Sequence, residues 1–358
     1  MEIGIIGLPN VGKSTLFNAL SIMNVPAENF PFTTIEPNIG IVPLKDTRLK
    51  QIAGIFNPKK VTNTTVKFVD IAGLVKGANQ GEGLGNKFLS HIREVDSIMH
   101  VIRMFEAGNV INTLEKCDPW QEIEIIETEL ILSDLGQVIV AKERLQGLQK
   151  CGNKEARIKF ELLESIANGL NQSKTVRMIN EEQKIDFKIL QEYNFLTTKP
   201  IMYVLNVNQN TNKDKLEETI NTIKAKRKTN VIAIDSQIES ELAQMPENER
   251  DNFAKELCVE SRIDELIQKA YKLLGLITFY TVVGSEVRAW SIQSGTAAKP
   301  AAGKIHTDME KGFIKVEVYS VEDLVNHGSE KKLSEKGLIR VEGKDYIVKD
   351  GDIMQIKF

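Results

Sequence analysis

Several absences narrow the field before any motif is read. The chain has three cysteines in 358 residues, Cys117, Cys151 and Cys258. They are scattered and show no metal-ligand spacing, which leaves reduced core or surface thiols. No run of about 18 apolar residues is available for a membrane-spanning helix. No signal-peptide pattern stands at the start, so a cytoplasmic protein is expected. The net charge is only −3, which argues against a whole-protein electrostatic grip on nucleic acid. Any RNA contact must use local patches. The basic run Lys224–Lys228 is one candidate, and its plainer reading is the solvated last turn of a helix. What remains is a chain with 42% hydrophobic residues, enough for real cores, and a length that suggests about two to three domains.

What is present begins almost at once. Gly7-Leu8-Pro9-Asn10-Val11-Gly12-Lys13-Ser14 is a complete G-x-x-x-x-G-K-[ST] loop. It follows an apolar run, Ile3 to Ile6, and precedes a helical pattern, Ser14 to Met23. That strand–loop–helix context turns a pattern match into a structural claim. The glycines let successive backbone N–H groups converge on phosphate oxygens at a helix N-terminus, where the macrodipole also favours anions. Asn10 to Thr15 are therefore expected to cradle the phosphates of a nucleoside triphosphate. Lys13 would reach the β- and γ-phosphates, and the Ser14 hydroxyl would sit on Mg²⁺.

Two further motifs follow in the order of a switch GTPase. Phe30–Pro37 carries Thr33 and Thr34, and a threonine there can close on Mg²⁺ and the γ-phosphate. Val66–Asp70 reads as a strand ending in an acid, followed by Ile71-Ala72-Gly73. The D-x-x-G spacing puts Asp70 behind a water on Mg²⁺ and the Gly73 N–H on the γ-phosphate. Alone, Asp70 would be read as an ordinary strand-end acid. Behind a P-loop and a threonine loop it is not.

Two more absences are specific. Leu74 stands where many GTPases place the Gln that orients the attacking water. The guanine-reading N-K-x-D motif is also missing. The strand Pro200–Leu205 runs into Asn206-Val207-Asn208-Gln209, with no acid at the fourth position. That acid would accept from N1 and N2 of guanine, so its loss leans the site toward ATP. Asn206 and Val207 are expected to hold the adenine.

These motifs resemble those of YchF, the Obg-like ATPase family. The resemblance is carried by Gly7–Thr15, Asn29–Asn38 and Phe68–Ala78, and by Glu286–Trp290, Ala302–Asp308 and Gly343–Asp352. It runs essentially end to end. It implies an Obg-type nucleotide domain, a helical-hairpin insertion and a C-terminal TGS domain of β-grasp fold. It also implies ATP preference through N-x-x-E, a hydrophobic residue in place of the catalytic Gln, and association with ribosomes. Gln209 replaces the Glu of that motif, and an amide discriminates less because it both donates and accepts. Asn112 stands where the family usually has His, and cannot act as a general base in its place. Asn10 resembles the asparagine that ligates K⁺ in potassium-stimulated relatives. An alternative is that it only shapes the loop.

Along the chain, alternating strands and helices predict an α/β sheet covered on both faces, of the Ras-like P-loop type. Asp118-Pro119 is a helix start. Ile123, Ile126, Leu130, Leu135, Val138, Ala141, Leu145 and Leu148 then predict a helix to about Lys150. A second stretch, Lys154 to Leu170, completes a coiled-coil hairpin, and Asn180–Gln183 looks like a capping box opening another helix. Asn248 to Leu274 reads as mostly helical. Thr278–Val283, Phe313–Val318, Asp345–Val348 and Ile353–Phe358 read as strands, with a hairpin signal at Asp350-Gly351. His306 is assigned a structural or RNA-contact role. The expected domains are residues 1–274, with the hairpin insertion at about 119–198, and 275–358. The expected function is Mg²⁺-dependent ATP hydrolysis as a nucleotide switch on the large ribosomal subunit, touching rRNA and ribosomal proteins. The alternatives are a non-hydrolysing nucleotide-gated module and a GTP-specific switch.

Overall fold

The structure is a computed structural model and describes residues 1–23, 38–71, 84–105, 118–150, 152–185, 192–256 and 259–358. The chain divides into two compact units. One is built mainly from Met1–Ile22 and Phe68–Arg262, the other from Ile41–Lys67 and Ile263–Phe358.

Numbered along the chain, the strands before the hairpin are β1 (Glu2–Ile6), β2 (Ile39–Pro43), β3 (Lys60–Thr62), β4 (Thr65–Asp70) and β5 (Ser97–Arg103). β6 (Ile201–Asn206) and β7 (Val231–Ile234) follow it. All but β3 form one sheet in the order β2-β4-β1-β5-β6-β7. β1, β5, β6 and β7 run parallel. Every residue of β5 and β6 is buried, which is why both read as unbroken apolar runs rather than alternating ones. His100 is the polar residue in the middle of β5, where Ser97, Arg103 and Asn206 stand at strand ends. Burial holds its pKa at about 3, so it stays neutral, with its ring 5.6 Å from that of Tyr203.

The hairpin helices span Pro119–Lys150 and Lys154–Asn171. The first starts where Asp118 Oδ1 accepts the N–H groups of Trp120 and Gln121. Gly152, at φ +83°, supplies the turn, and Asn153 caps the second helix by accepting from Ala156. Between them lie Ile131, Val138, Leu163, Ile166 and Leu170. Leu148, read as part of that stripe, is 52% exposed, so the apolar seam ends before the tip. Asp134 is wholly buried and accepts from the backbone of Leu196 and Thr197 and from the Thr197 hydroxyl. It thereby satisfies the first N–H groups of the 3₁₀ turn Leu196–Thr198, which have no partner within that turn.

One helix expectation is corrected. Asn180–Gln183 do not open a helix: they are the last turn of Val176–Gln183, which Thr175 caps and Lys184 ends at φ +51°. A cap needs extended backbone, and these residues are already helical. The stretch from Asn248 to Leu274 is mostly helical, as expected, in two helices, Glu247–Glu256 and Ile263–Leu273. Ahead of the second helix, Glu239 accepts from Ser261 Oγ (2.7 Å) and Arg262 N (2.6 Å).

The second unit holds β8 (Leu276–Val283), β9 (Glu286–Gln293), β10 (Lys315–Ser320), β11 (Arg340–Glu342) and β12 (Asp352–Lys357). Its sheet order is β11-β10-β12-β8-β9-β3. β8 and β9 are an antiparallel hairpin, and β3 lies parallel to β9. The expected strand at 345–348 reduces to a single bridge, Ile347 to Ala297. Asp350-Gly351 is a turn rather than a hairpin, because β12 leaves it to pair with β10 and β8. Leu49 and Ile52, on helix Thr47–Phe56, join Tyr280, Tyr319, Leu324 and Ile353 in one core. Asp46 caps that helix, pairs with Arg48 at 3.0 Å and meets the Tyr280 hydroxyl. Arg48 continues to Asp350 at 2.8 Å.

Candidate nucleotide site

The site is built at the C-terminal ends of the parallel strands, where open α/β sheets place their ligands. The loop after β1 turns through Asn10 at φ +65° and Gly12 at φ +92° into helix Lys13–Ile22. A cavity of about 870 Å³ opens over it. Asn10, Gly12, Lys13, Ser14 and Thr15 line one end, with Asp70 beside them. The Lys13 ammonium pairs with the Asp70 carboxylate, which stands at the end of β4. The other end is lined by Phe105, Val207, Asn208, Asp235, Ser236 and Gln237.

Asn206 fixes the loop rather than facing the cavity freely. It is 4% exposed. Its Nδ2 donates to the Val11 carbonyl at 2.8 Å, and its Oδ1 accepts from Ser236 N at 3.0 Å. Both ends of the amide are thus engaged, and one side chain ties β1, β6 and β7 at the site. Val11 contributes this carbonyl, while its side chain is buried. Gln209, the fourth residue of the base motif, is exposed and absent from the cavity lining.

Sequence reading passed over Phe105 and the turn Asp235–Gln237. The available signal was position: Asp235 immediately follows a buried strand next to β6 and caps helix Ser236–Gln244. Thr34, Gly73, Leu74 and Asn112 lie outside the described residues. His306 belongs to the second unit, is well exposed, and caps the short helix Thr307–Lys311 by accepting from Asp308 N.

Behind the cavity wall, Glu122 of the first hairpin helix accepts the backbone N–H of Arg103 at 3.1 Å. Burial lifts its carboxyl to about 7. Further along that helix, Glu127 takes a two-pronged contact from Arg227 (2.8 and 2.6 Å) and the Tyr203 hydroxyl (2.9 Å). Trp120 packs under the Arg227 and Lys226 cations. The hairpin is therefore rooted in β5, β6 and helix Lys213–Arg227 through buried polar contacts.

No group of three or more His, Cys, Asp or Glu side chains fit to hold a metal occurs among the described residues. A Mg²⁺ ion fits this site only in the manner usual for nucleotide enzymes, on substrate phosphates with few protein ligands. Ser14 and Asp70, which both face the cavity, are of the right hard-oxygen chemistry.

A phosphate loop at a helix N-terminus, an acid at the neighbouring strand end and a base-sized cleft beyond define a P-loop nucleotide-binding protein. Comparison with known proteins agrees. The family described as "50S ribosome-binding GTPase" matches residues 2–143, and a YchF GTPase C-terminal family, described as "Protein of unknown function (DUF933)", matches residues 276–358. The "Ribosome-binding ATPase YchF" of Escherichia coli O157:H7 is 46% identical over 360 residues, covering 99% of this chain and 98% of that protein. Its namesake from Bacillus subtilis (strain 168) is 44% identical with the same coverage. The "Structure of the Schizosaccharomyces pombe YchF GTPase" superposes with a TM-score of 0.86 at 32% identity, covering 100% of this chain and 97% of that one. The chain belongs to the YchF family.

Proposed function

We propose that this protein is a Mg²⁺-dependent ATPase that uses nucleotide occupancy to control docking on the ribosome, at the large subunit, in the cytoplasm. The observation that carries the reading is the cavity that joins the phosphate loop to a base-sized cleft lacking an N-K-x-D acid. The names of the E. coli and B. subtilis relatives support the activity and the partner. In this reading the backbone of Asn10 to Thr15 holds the phosphates, with Gly73 adding an N–H. Ser14 and Thr34 ligate Mg²⁺, and Asp70 orients a water on it. The metal supplies charge neutralisation at the phosphates. Asn206 acts through the loop it braces, and Val207 lies against the base. Residues 1–274 carry the nucleotide domain and 275–358 the TGS domain, residues 41–67 and the helix Ile263–Leu273 packing in one compact unit with the latter, with rRNA and ribosomal proteins as partners. K⁺ at Asn10 assists a site that lacks a catalytic Gln.

Steady-state phosphate release from ATP and from GTP, with and without ribosomes, tests the proposal. ATP turnover at or above GTP turnover, with co-sedimentation on ribosomes that depends on nucleotide, is expected. No multiple turnover with either nucleotide would leave a nucleotide-gated binding module. The S. pombe relative is called a GTPase, and that favours a second reading, a GTP-specific switch. A GTP affinity more than tenfold tighter than ATP, about 1.4 kcal/mol, would establish that one instead.

A further inference from the structure

We propose that Asp235 is the residue that selects adenine, reading its 6-amino group; this rests on the ATP-site reading above. The phosphate loop follows β1, and Asp70 ends β4 on one side of it. On the other side come β5, β6 and β7. At about 4.8 Å per strand, the end of β7 stands roughly 14 Å from that of β1. A nucleotide with its phosphates over Lys13 and Ser14 therefore lays its base toward the ends of β6 and β7.

The polar groups there are few, and most are already engaged. The Asn206 amide is used at both ends. Asn208 Oδ1 accepts from Asn210 N and the Thr211 hydroxyl. Gln209 does not line the cavity. Two groups remain. Asp235 lines the cavity and caps a nine-residue helix through Oδ1, which accepts from Gln237 and Ile238 at 3.1 Å each. Its Oδ2 accepts from no group among the described residues. Beside it, Ser236 is 1% exposed and also lines the cavity, and its hydroxyl has no hydrogen-bond partner among the described residues. An unpaired buried hydroxyl is costly unless something that enters the cavity completes it.

An acceptor beside a donor is the complement of the adenine edge. The 6-amino group donates to Asp235 Oδ2, and the Ser236 hydroxyl donates to the neighbouring ring nitrogen. In the same seating, guanine and hypoxanthine set a 6-oxo group against the carboxylate, acceptor against acceptor, and only by shifting along the base edge could their N1–H reach it. A site whose polar partner goes unmatched rejects the wrong ligand strongly. This assigns to a carboxylate at the end of β7 the selection that the altered base motif after β6 does not provide.

The test is competitive titration of the full chain with Mg²⁺ and ATP, GTP, ITP and purine riboside triphosphate, the last lacking any 6-substituent. Wild type should bind ATP at least about tenfold more tightly than ITP or purine riboside triphosphate. Asp235→Asn keeps the helix cap, since Asn caps as well as Asp, and its amide can turn a donor to a 6-oxo group. Its ATP-to-ITP ratio should fall by about tenfold or more. Asp235→Ser, also a good cap, should lose the preference without reversing it. Purine riboside triphosphate binding as tightly as ATP to the wild type would overturn the assignment, with no variant needed. An unchanged ATP-to-ITP ratio in Asp235→Asn would overturn it while leaving an ATP site standing. Wild type preferring GTP to ATP would instead remove the reading on which it rests.

Discussion

Gly12 and Asn206 are fitted to one another: a Cβ on Gly12 would overlap the Asn206 amide nitrogen, and Gly12 itself sits at φ +92°. The phosphate loop is held by a side chain from another strand, and only glycine leaves room for it. Gly12→Ala should cost about 3 kcal/mol of nucleotide affinity, roughly 100-fold, by displacing the loop. Asn206→Ala should also lower stability by about 2–4 kcal/mol, because the Val11 carbonyl and the Ser236 N–H lose their partner in a buried place. Nucleotide titration and urea unfolding read the two effects separately. A Gly12→Ala protein with unaltered affinity would show that the loop does not need this brace.

The pair Glu127–Arg227 is nearly dry, with side-chain exposures of 9% and 12%. Arg227→Met should destabilise the fold by about 3–5 kcal/mol, since it strands a buried carboxylate that also holds the Tyr203 hydroxyl. Adding Glu127→Gln should restore a large part of the loss. Denaturant midpoints of the two single variants and the double variant measure this. If Arg227→Met proved neutral, the pair would be a surface contact in solution.

Stability should carry opposed pH signatures from two buried groups. Glu122 has its pKa raised by burial from 4.5 to about 7. Folding therefore takes up a proton between those values. Its contribution is complete below pH 4.5 and is lost as pH climbs through 7. Glu122→Gln should gain on the wild type by on the order of 3 kcal/mol between about pH 5 and pH 8. His100, held at about 3 by burial against an ordinary 6.5, works the other way. Its contribution is full above pH 6.5 and is lost as pH falls toward 3, so His100→Phe should resist acid better. Parallel stability–pH curves for Glu122→Gln and wild type would mean that this carboxyl ionises as freely folded as unfolded.

At the phosphates, Lys13→Ala and Ser14→Ala should abolish hydrolysis without unfolding the chain, because both side chains line the cavity rather than the core. Thr34→Ala should leave nucleotide binding largely intact and blunt the response of docking to ATP. Intrinsic turnover should be faster in K⁺ than in Na⁺, with Asn10→Ala removing the difference. Phosphate release in the two salts decides this. Equal rates would leave Asn10, at φ +65°, as a residue that only shapes the turn.

Much of this was legible because it is local. The P-loop, its flanking strand and helix, Asp70 and the Asp118-Pro119 start are contiguous patterns with one backbone solution each. What sequence did not disclose was set by distant partners. The commitment of Asn206 to Val11 and Ser236 needs three strands brought side by side. Asp235–Gln237 became part of the cavity only through the neighbouring of β6 and β7. Thr175 outcompeted Asn180 as a cap because the helix begins earlier than the apolar pattern suggested. The packing of residues 41–67 with the C-terminal sheet left no trace in periodicity, since Leu49 and Ile52 look the same whichever core they join.

That packing sets an order of assembly on the growing chain. Domains ordinarily fold as units, N-terminal first, during synthesis. Here Leu49 and Ile52 are made early, yet Tyr280, Tyr319 and Ile353, which cover them, emerge only after the whole nucleotide-binding unit. The nascent polypeptide must carry an uncovered apolar helix, Thr47–Phe56, while the whole hairpin is still being translated. A transcript stopped short of residue 263 would leave that helix permanently bare, a handle for chaperones and proteases. Synthesis of the strands from Leu276 to Lys357 is thus also the event that hides the helix around Leu49.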